Sequence, residues 1–223
     1  MKKIIRVIAI LLIIYCSLHI VDYGRDTVKT QFVKTEIKTN AFLPQHEKKP
    51  LHKAYLKAKK EDNDILQEVK EEEERKVDFL YLNSINQNII AYLSYDRLGI
   101  NYPVVSSIDN KDYLHTDLYG KSSYAGSLFL DCTDTDKDWG ENHLIYGHNM
   151  KNCTMFGMLG HSKKDDIFYI YLPNKSKKYK VIDIRVIEPE DKFYSKDRQE
   201  LKNTVSLSTC KGDKRLVVTG KRI

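Results

Sequence analysis

Ser206-Leu207-Ser208-Thr209-Cys210-Lys211-Gly212-Asp213-Lys214-Arg215-Leu216-Val217-Val218-Thr219 is the stretch that decides the fold. Residues Thr204 to Thr209 alternate between apolar and hydroxyl side chains, which reads as a strand. Lys211-Gly212-Asp213-Lys214 is turn chemistry, and the β-branched run after Arg215 reads as a second strand. Four residues separate Cys210 from Arg215. In such a hairpin the residues flanking the loop oppose each other on one side of the sheet, with Cβ atoms about 4.5–5.5 Å apart. A thiol and a guanidinium are therefore expected side by side. On the other face Leu207 is expected to pair with Val218 and Thr209 with Leu216. A bulge would shift the register by one residue and send Arg215 to the wrong face.

Working outward, the chain from Tyr95 onward consists of short β-rich runs. They are Ile100–Val105, Ser127–Leu130, His143–Tyr146, Ile167–Leu172, Tyr179–Ile187, Thr204–Thr209 and Leu216–Thr219. Gly120, Gly126, Gly140, Pro173-Asn174 and Gly212-Asp213 punctuate them. Many short strands with few helices predict a closed β-barrel or a sandwich. Ahead of them, Asn83 or Ser84 is expected to cap a helix carrying Ile85, Ile89, Ile90, Tyr92 and Leu93 at helical spacing.

The hairpin pair has a chemistry. A neighbouring guanidinium favours the thiolate, the nucleophilic form of cysteine, and can hold an oxyanion during acyl transfer. Acyl transfer also needs a proton donor for its leaving group, usually a histidine. His148, in Tyr146-Gly147-His148-Asn149-Met150, sits where a strand runs into a glycine-containing loop, a place suited to a side chain at a rim. His143 lies five positions earlier and would face the opposite way, so only one of the two can share the site. His143 and His161 are read as structural or solvent-exposed.

The 223 residues divide into three zones. Lys2, Lys3 and Arg6 precede an uncharged run from Val7 to Val21, which fits a signal peptide or a membrane anchor. No small-x-small cleavage site closes the run, and this favours an uncleaved anchor. The cations then stay in the cytoplasm and the remainder lies outside. Residues 22–78 carry nine cations and nine acids between His46 and Lys76, and the like-charge block Glu71 to Glu74. Too few apolar residues recur there to build a core, so the zone reads as a partly helical spacer, with Pro44 and Pro50 breaking any longer helix. The globular part begins near Phe79.

Composition excludes several classes. Fifteen Tyr and seven Phe argue against global disorder, and four Cys are too few for a disulfide scaffold. A net charge of +6 set against 31 acids gives no push toward nucleic acid. The spacing of Cys132, His143, His148 and Cys153 matches no common zinc pattern, so no metal is expected. A Cys132–Cys153 disulfide remains open, and Cys16 falls in the anchor.

The combined motifs are similar to a known family. Ser206-Leu207-Ser208-Thr209-Cys210 resembles the TLxTC signature of sortases, with Ser206 in place of Thr. Arg215-Leu216-Val217-Val218 resembles the family's arginine-bearing last strand. Leu144 to Asn152 resembles the histidine segment of class B sortases. Ile100 to Val105 continuing through Asp109-Asn110-Lys111-Asp112-Tyr113-Leu114, and Ala125 to Asp131, also resemble that class. The resemblance covers residues 79–223.

It implies a closed eight-stranded β-barrel with a few short helices, preceded by a transmembrane helix, on a Gram-positive surface. It implies a cysteine transpeptidase without a cofactor. Such an enzyme cuts a C-terminal sorting signal of the LPxTG or NPxTN kind after Thr and joins the carbonyl to an amine of peptidoglycan or a pilin. By carry-over, Cys210 is the nucleophile, His148 the general acid/base, and Arg215 the group that stabilises the oxyanion or positions substrate. Asn110, Leu114 and Ser208 match positions lining the sorting-signal groove. The implied partners are surface proteins with a sorting signal, a peptidoglycan or pilin amine, and the membrane.

Two departures stand out. The class usually inserts a long, partly helical segment before the Cys strand, and here only residues 188–203 lie there. The loop between Cys210 and Arg215 is also short. A cysteine hydrolase on the same motif and a catalytically silent membrane-tethered binding module are the alternatives. If thiolate and imidazolium must coexist, activity is expected to be bell-shaped in pH.

Overall fold

A computed structural model describes residues 2–42, 75–195, 198 and 200–223. The acidic block Glu71 to Glu74, Pro44, Pro50 and most of the charged zone lie outside the described residues.

Eight strands close into a barrel. They are β1 (Ile89–Tyr95), β2 (Ile100–Val105), β3 (Leu128–Leu130), β4 (Asn142–Tyr146), β5 (Ile167–Leu172), β6 (Lys175–Ile187), β7 (Thr204–Lys211) and β8 (Lys214–Arg222). Their order around the wall is β1-β2-β3-β4-β7-β8-β6-β5, and β5 returns to β1. Two pairings, β2 with β3 and β4 with β7, are parallel, and the other six are antiparallel. Closure removes the exposed edges an open sheet would carry.

The strands read as continuous apolar runs because most are covered on both faces. Inside, Leu93, Ile145, Phe156, Phe168, Val205, Leu207 and Val218 fill the barrel. Outside, Tyr92, Val105, Phe129 and Tyr171 pack under Ile37, Ala41, Phe79 and Leu82. A third cluster seats Phe193, from the short segment before β7, on Leu144 and Val217. Ser206, the departure from the sortase signature, is buried. Its hydroxyl bonds that of Thr219 at 2.9 Å and accepts from Asn142 Nδ2 at 3.0 Å, so the position keeps its hydrogen bonds without a Thr methyl.

Helix α1 spans Lys2–Asn40. Its side chains from Ile4 to Val21 are exposed, and this part is long and apolar enough to cross a membrane. The sequence reading ends the apolar segment at residue 21 and starts a spacer at 22. The helix instead continues without a break, and Thr30, Val33 and Ile37 pack on the barrel. The outer core therefore begins before Phe79.

The helix expected over Ile85 to Leu93 is corrected. Helix α2 is Phe79–Ile85, capped by Asp78, whose carboxylate accepts from the Tyr81 N–H at 3.0 Å. Asn86 accepts from the Asn88 N–H in a turn, and Ile89 opens β1. Ala91, Leu93 and Tyr95 face the barrel interior and Ile89 and Tyr92 the outer core, so nearly every position is buried. A strand apolar on both faces imitates helical spacing, and its β-branched residues settle the outcome.

Candidate active site

Strands β7 and β8 meet in the anticipated register. Cys210 opposes Arg215, Thr209 opposes Leu216 and Leu207 opposes Val218. The pairing runs one step further, Lys211 to Lys214, leaving Gly212 and Asp213 as the loop. Gly212 has φ +65°, which a side chain would strain, so the tight turn depends on glycine. Arg215 Nη1 donates to Cys210 Sγ at 3.2 Å. Cys210 is exposed and Arg215 is half-buried. Cys16, Cys132, Cys153 and Cys210 are all free thiols.

His148 follows the end of β4. Gly147 leads into it, in a space where a Cβ would lie 2.3 Å from Leu128 Cδ2, so only glycine lets the chain pass. Three bonds pin this exit. Thr209 Oγ1 donates to the Gly147 carbonyl at 2.7 Å, the Phe156 N–H to the His148 carbonyl at 2.9 Å, and Asn149 Nδ2 to the Cys210 carbonyl at 2.8 Å.

The His148 ring is half-buried. Its Nε2 is 2.8 Å from the Leu114 carbonyl. A carbonyl only accepts, so Nε2 carries the proton and Nδ1 is the nitrogen left for proton transfer. Burial pulls the imidazole below its ordinary range. The Leu114 bond opposes this, and His115, stacked at 5.5 Å between ring centroids, reinforces it. His143 is buried away from the site and stacked on Trp139, as expected of the histidine on the opposite face.

Cys210, His148 and Arg215 line one groove of about 430 Å³. Asn110, Leu114 and Ser208 line it too, so all six residues singled out from sequence converge there. Ser208 Oγ is 2.9 Å from Tyr194 OH. Asn110 is held at both ends, accepting from the Cys132 N–H at 2.9 Å and donating to Asp131 at 3.3 Å.

The polar end of this groove is built by residues that carry no role in the motifs above. Asp131 accepts from Tyr146 OH at 2.8 Å and Thr133 Oγ1 at 2.6 Å. Arg198, with a fully buried side chain, pairs with Asp134 at 2.6 Å and Asp131 at 3.5 Å. Burial opposes the Asp131 charge, but bonds from Thr133 and Tyr146 and the Arg198 charge hold its carboxyl below the usual range. Tyr194 and Pro189 close the groove from the short segment before β7. Thr133 and Asp134 neighbour Asp131 in sequence, but Tyr146 and Arg198 reach it from distant segments, so no local motif marks the whole set. Among the described residues no cluster of His, Cys, Asp and Glu could hold a metal ion.

The sortase-domain family profile matches residues 93–223. The chain belongs to the sortase family. It is 37% identical over 78 residues to a sortase B of Listeria monocytogenes, covering 35% of this chain and 32% of the relative. It is 30% identical over 116 residues to a sortase B of Staphylococcus aureus, covering 50% and 48%. The chain thus spans about a third to a half of the length of these curated relatives. A Bacillus anthracis sortase B structure is similar with a TM-score of 0.55 and 26% identity, covering 82% of this chain and 98% of that one. A Clostridium perfringens sortase B shares the fold at a TM-score of 0.56 and 23% identity, covering 65% and 98%. The family is sortase, and the likeness is to class B.

Proposed function

We propose that this sortase is a membrane-anchored cysteine transpeptidase acting on a C-terminal sorting signal. The observation that carries the reading is the Arg215 guanidinium 3.2 Å from the Cys210 sulfur, in one groove with His148. His148 Nδ1 takes the Cys210 proton, and the thiolate attacks the Thr carbonyl of an LPxTG- or NPxTN-like motif. Arg215 faces the oxyanion of the tetrahedral adduct. As the adduct collapses, the peptide C–N bond breaks and His148 returns its proton to the departing amine. A thioacyl enzyme remains. An amine of peptidoglycan or of a pilin then attacks, His148 takes its proton, and Cys210 is released.

Asn110, Leu114 and Ser208 bind the sorting peptide in this reading, with Tyr194 as a further wall. The apolar part of α1 anchors the enzyme in a single pass, with the N-terminus cytoplasmic and residues 79–223 as the extracellular catalytic domain. Product analysis tests the reading. A sorting peptide should be cleaved after Thr and, with a primary amine added, converted to the amide at the expense of the acid. Release of the acid alone, unchanged by amine, would make the enzyme a hydrolase. Unchanged cleavage by Cys210→Ala would remove the nucleophile from the account.

A further inference from the structure

His148 is oriented by two loops, and the same helix braces both. The first loop, residues 113–126, supplies the Leu114 carbonyl that receives the Nε2 proton. The two ends of this loop touch so closely that a Cβ at Gly126 would lie 2.3 Å from the Leu114 oxygen, so a shift of one end displaces the acceptor on the other. The second loop, residues 149–156, returns to His148 through the Phe156 N–H.

Helix α1 holds the first loop at two points. The Asp26 carboxylate accepts from the Tyr124 N–H at 2.9 Å and from Ser123 Oγ at 3.2 Å. Lys29 pairs with Asp117, whose other oxygen takes the N–H groups of Tyr119 and Lys121. Helix α1 also meets the second loop. Gln31 Nε2 donates to the Asn152 carbonyl at 3.3 Å. The Lys34 ammonium lies 5.2 Å from the centre of the Tyr102 ring, and the hydroxyl of that ring accepts from the Met155 N–H at 3.0 Å.

We infer that α1 is part of the catalytic apparatus: Asp26 and Lys29 are positioning residues that set the Leu114 carbonyl and, through it, the His148 ring. The inference rests on the transpeptidase reading for its kinetic consequence but not for its structural one. Because α1 is continuous with the apolar segment, anchor and proton-transfer group form one mechanical piece.

The test uses the full chain in detergent micelles, comparing Asp26→Ala/Lys29→Ala with the parent. Turnover is followed with a sorting peptide, and the ring nitrogens by selective ¹⁵N-histidine NMR, the His148 signals being assigned against His148→Gln. The pair lies at the surface of the helix, and Asp26→Ala alone is the milder variant should the double one lose its fold. The expected result is a kcat lowered about tenfold with KM within about twofold, since a displaced catalytic group costs rate rather than binding. The Nε2–H tautomer pattern of His148 should give way to a mixture, and Lys29→Arg should keep both properties of the parent. Parent-like kcat and tautomer in the double variant would overturn the inference, as would a raised KM with kcat unchanged. If the parent cleaves no sorting peptide, the transpeptidase reading fails while the tautomer comparison still decides the positioning role.

Discussion

Two histidines five residues apart on and after β4 meet opposite fates. His143 lies within the strand. Its ring stacks on Trp139 at 4.4 Å and 3° from parallel, with Nε2 2.8 Å from the Asp136 carbonyl, and it is 1% exposed. His148 lies beyond the strand end, half-buried, with one nitrogen fixed and the other unspent. The residue type is the same, and position along the strand decides the use. Inside the sheet a side chain is locked by its neighbours, whereas at the rim it can be held on one side and offered on the other.

Substitutions at the two positions should therefore separate activity from stability. His148→Ala should lower kcat/KM by about 10³-fold or more while thermal unfolding stays close to the parent's. Equal losses of activity and stability would erase the distinction. Arg215→Lys should cost about 10²-fold, because an ammonium cannot reproduce the planar fork that spans sulfur and oxyanion. Near-parental turnover would show that charge alone suffices. His143→Ala should leave turnover per folded molecule unchanged and cost about 2 kcal/mol in denaturant unfolding, through the lost stack and the lost ring bond to the Asp136 carbonyl.

The smallest effect concerns pH. Burial lowers the His148 value in the fold, so the unfolded chain binds that proton more readily. The associated stability is present above the ordinary imidazole value of about 6.5 and is lost as pH falls through the lowered one. His148→Ala should flatten this slope. The acid limb of kcat/KM should likewise fall below about pH 6.5, because it follows the lower-titrating group however the proton is shared between Cys210 and His148. A profile flat from about pH 5 to 10 would contradict the assigned roles.

The contrast also explains what the sequence could reveal. The hairpin register was legible because two strands and a glycine turn are local, and the facing of Cys210 and Arg215 follows from parity alone. The exclusion of His143 was legible for the same reason. In sequence β1 imitates a helix because a doubly covered strand loses its alternation. The docking of α1 was hidden because the positions it packs on the barrel, Thr30, Val33 and Ile37, are few and thinly spaced among charged and polar residues. The Asp131–Arg198 pairing was hidden because Arg198 reaches Asp131 and Asp134 from the distant segment before β7.

The account depends most on Cys210 as the acyl acceptor. The direct measurement is the intact mass of the full chain after reaction with a sorting peptide, with the modified residue located by fragmentation. The account predicts an adduct ending at the Thr carbonyl, carried on Cys210 and discharged by a primary amine. Cleaved peptide with no adduct under rapid acid quench, or an adduct on Cys132 or Cys153, would contradict it.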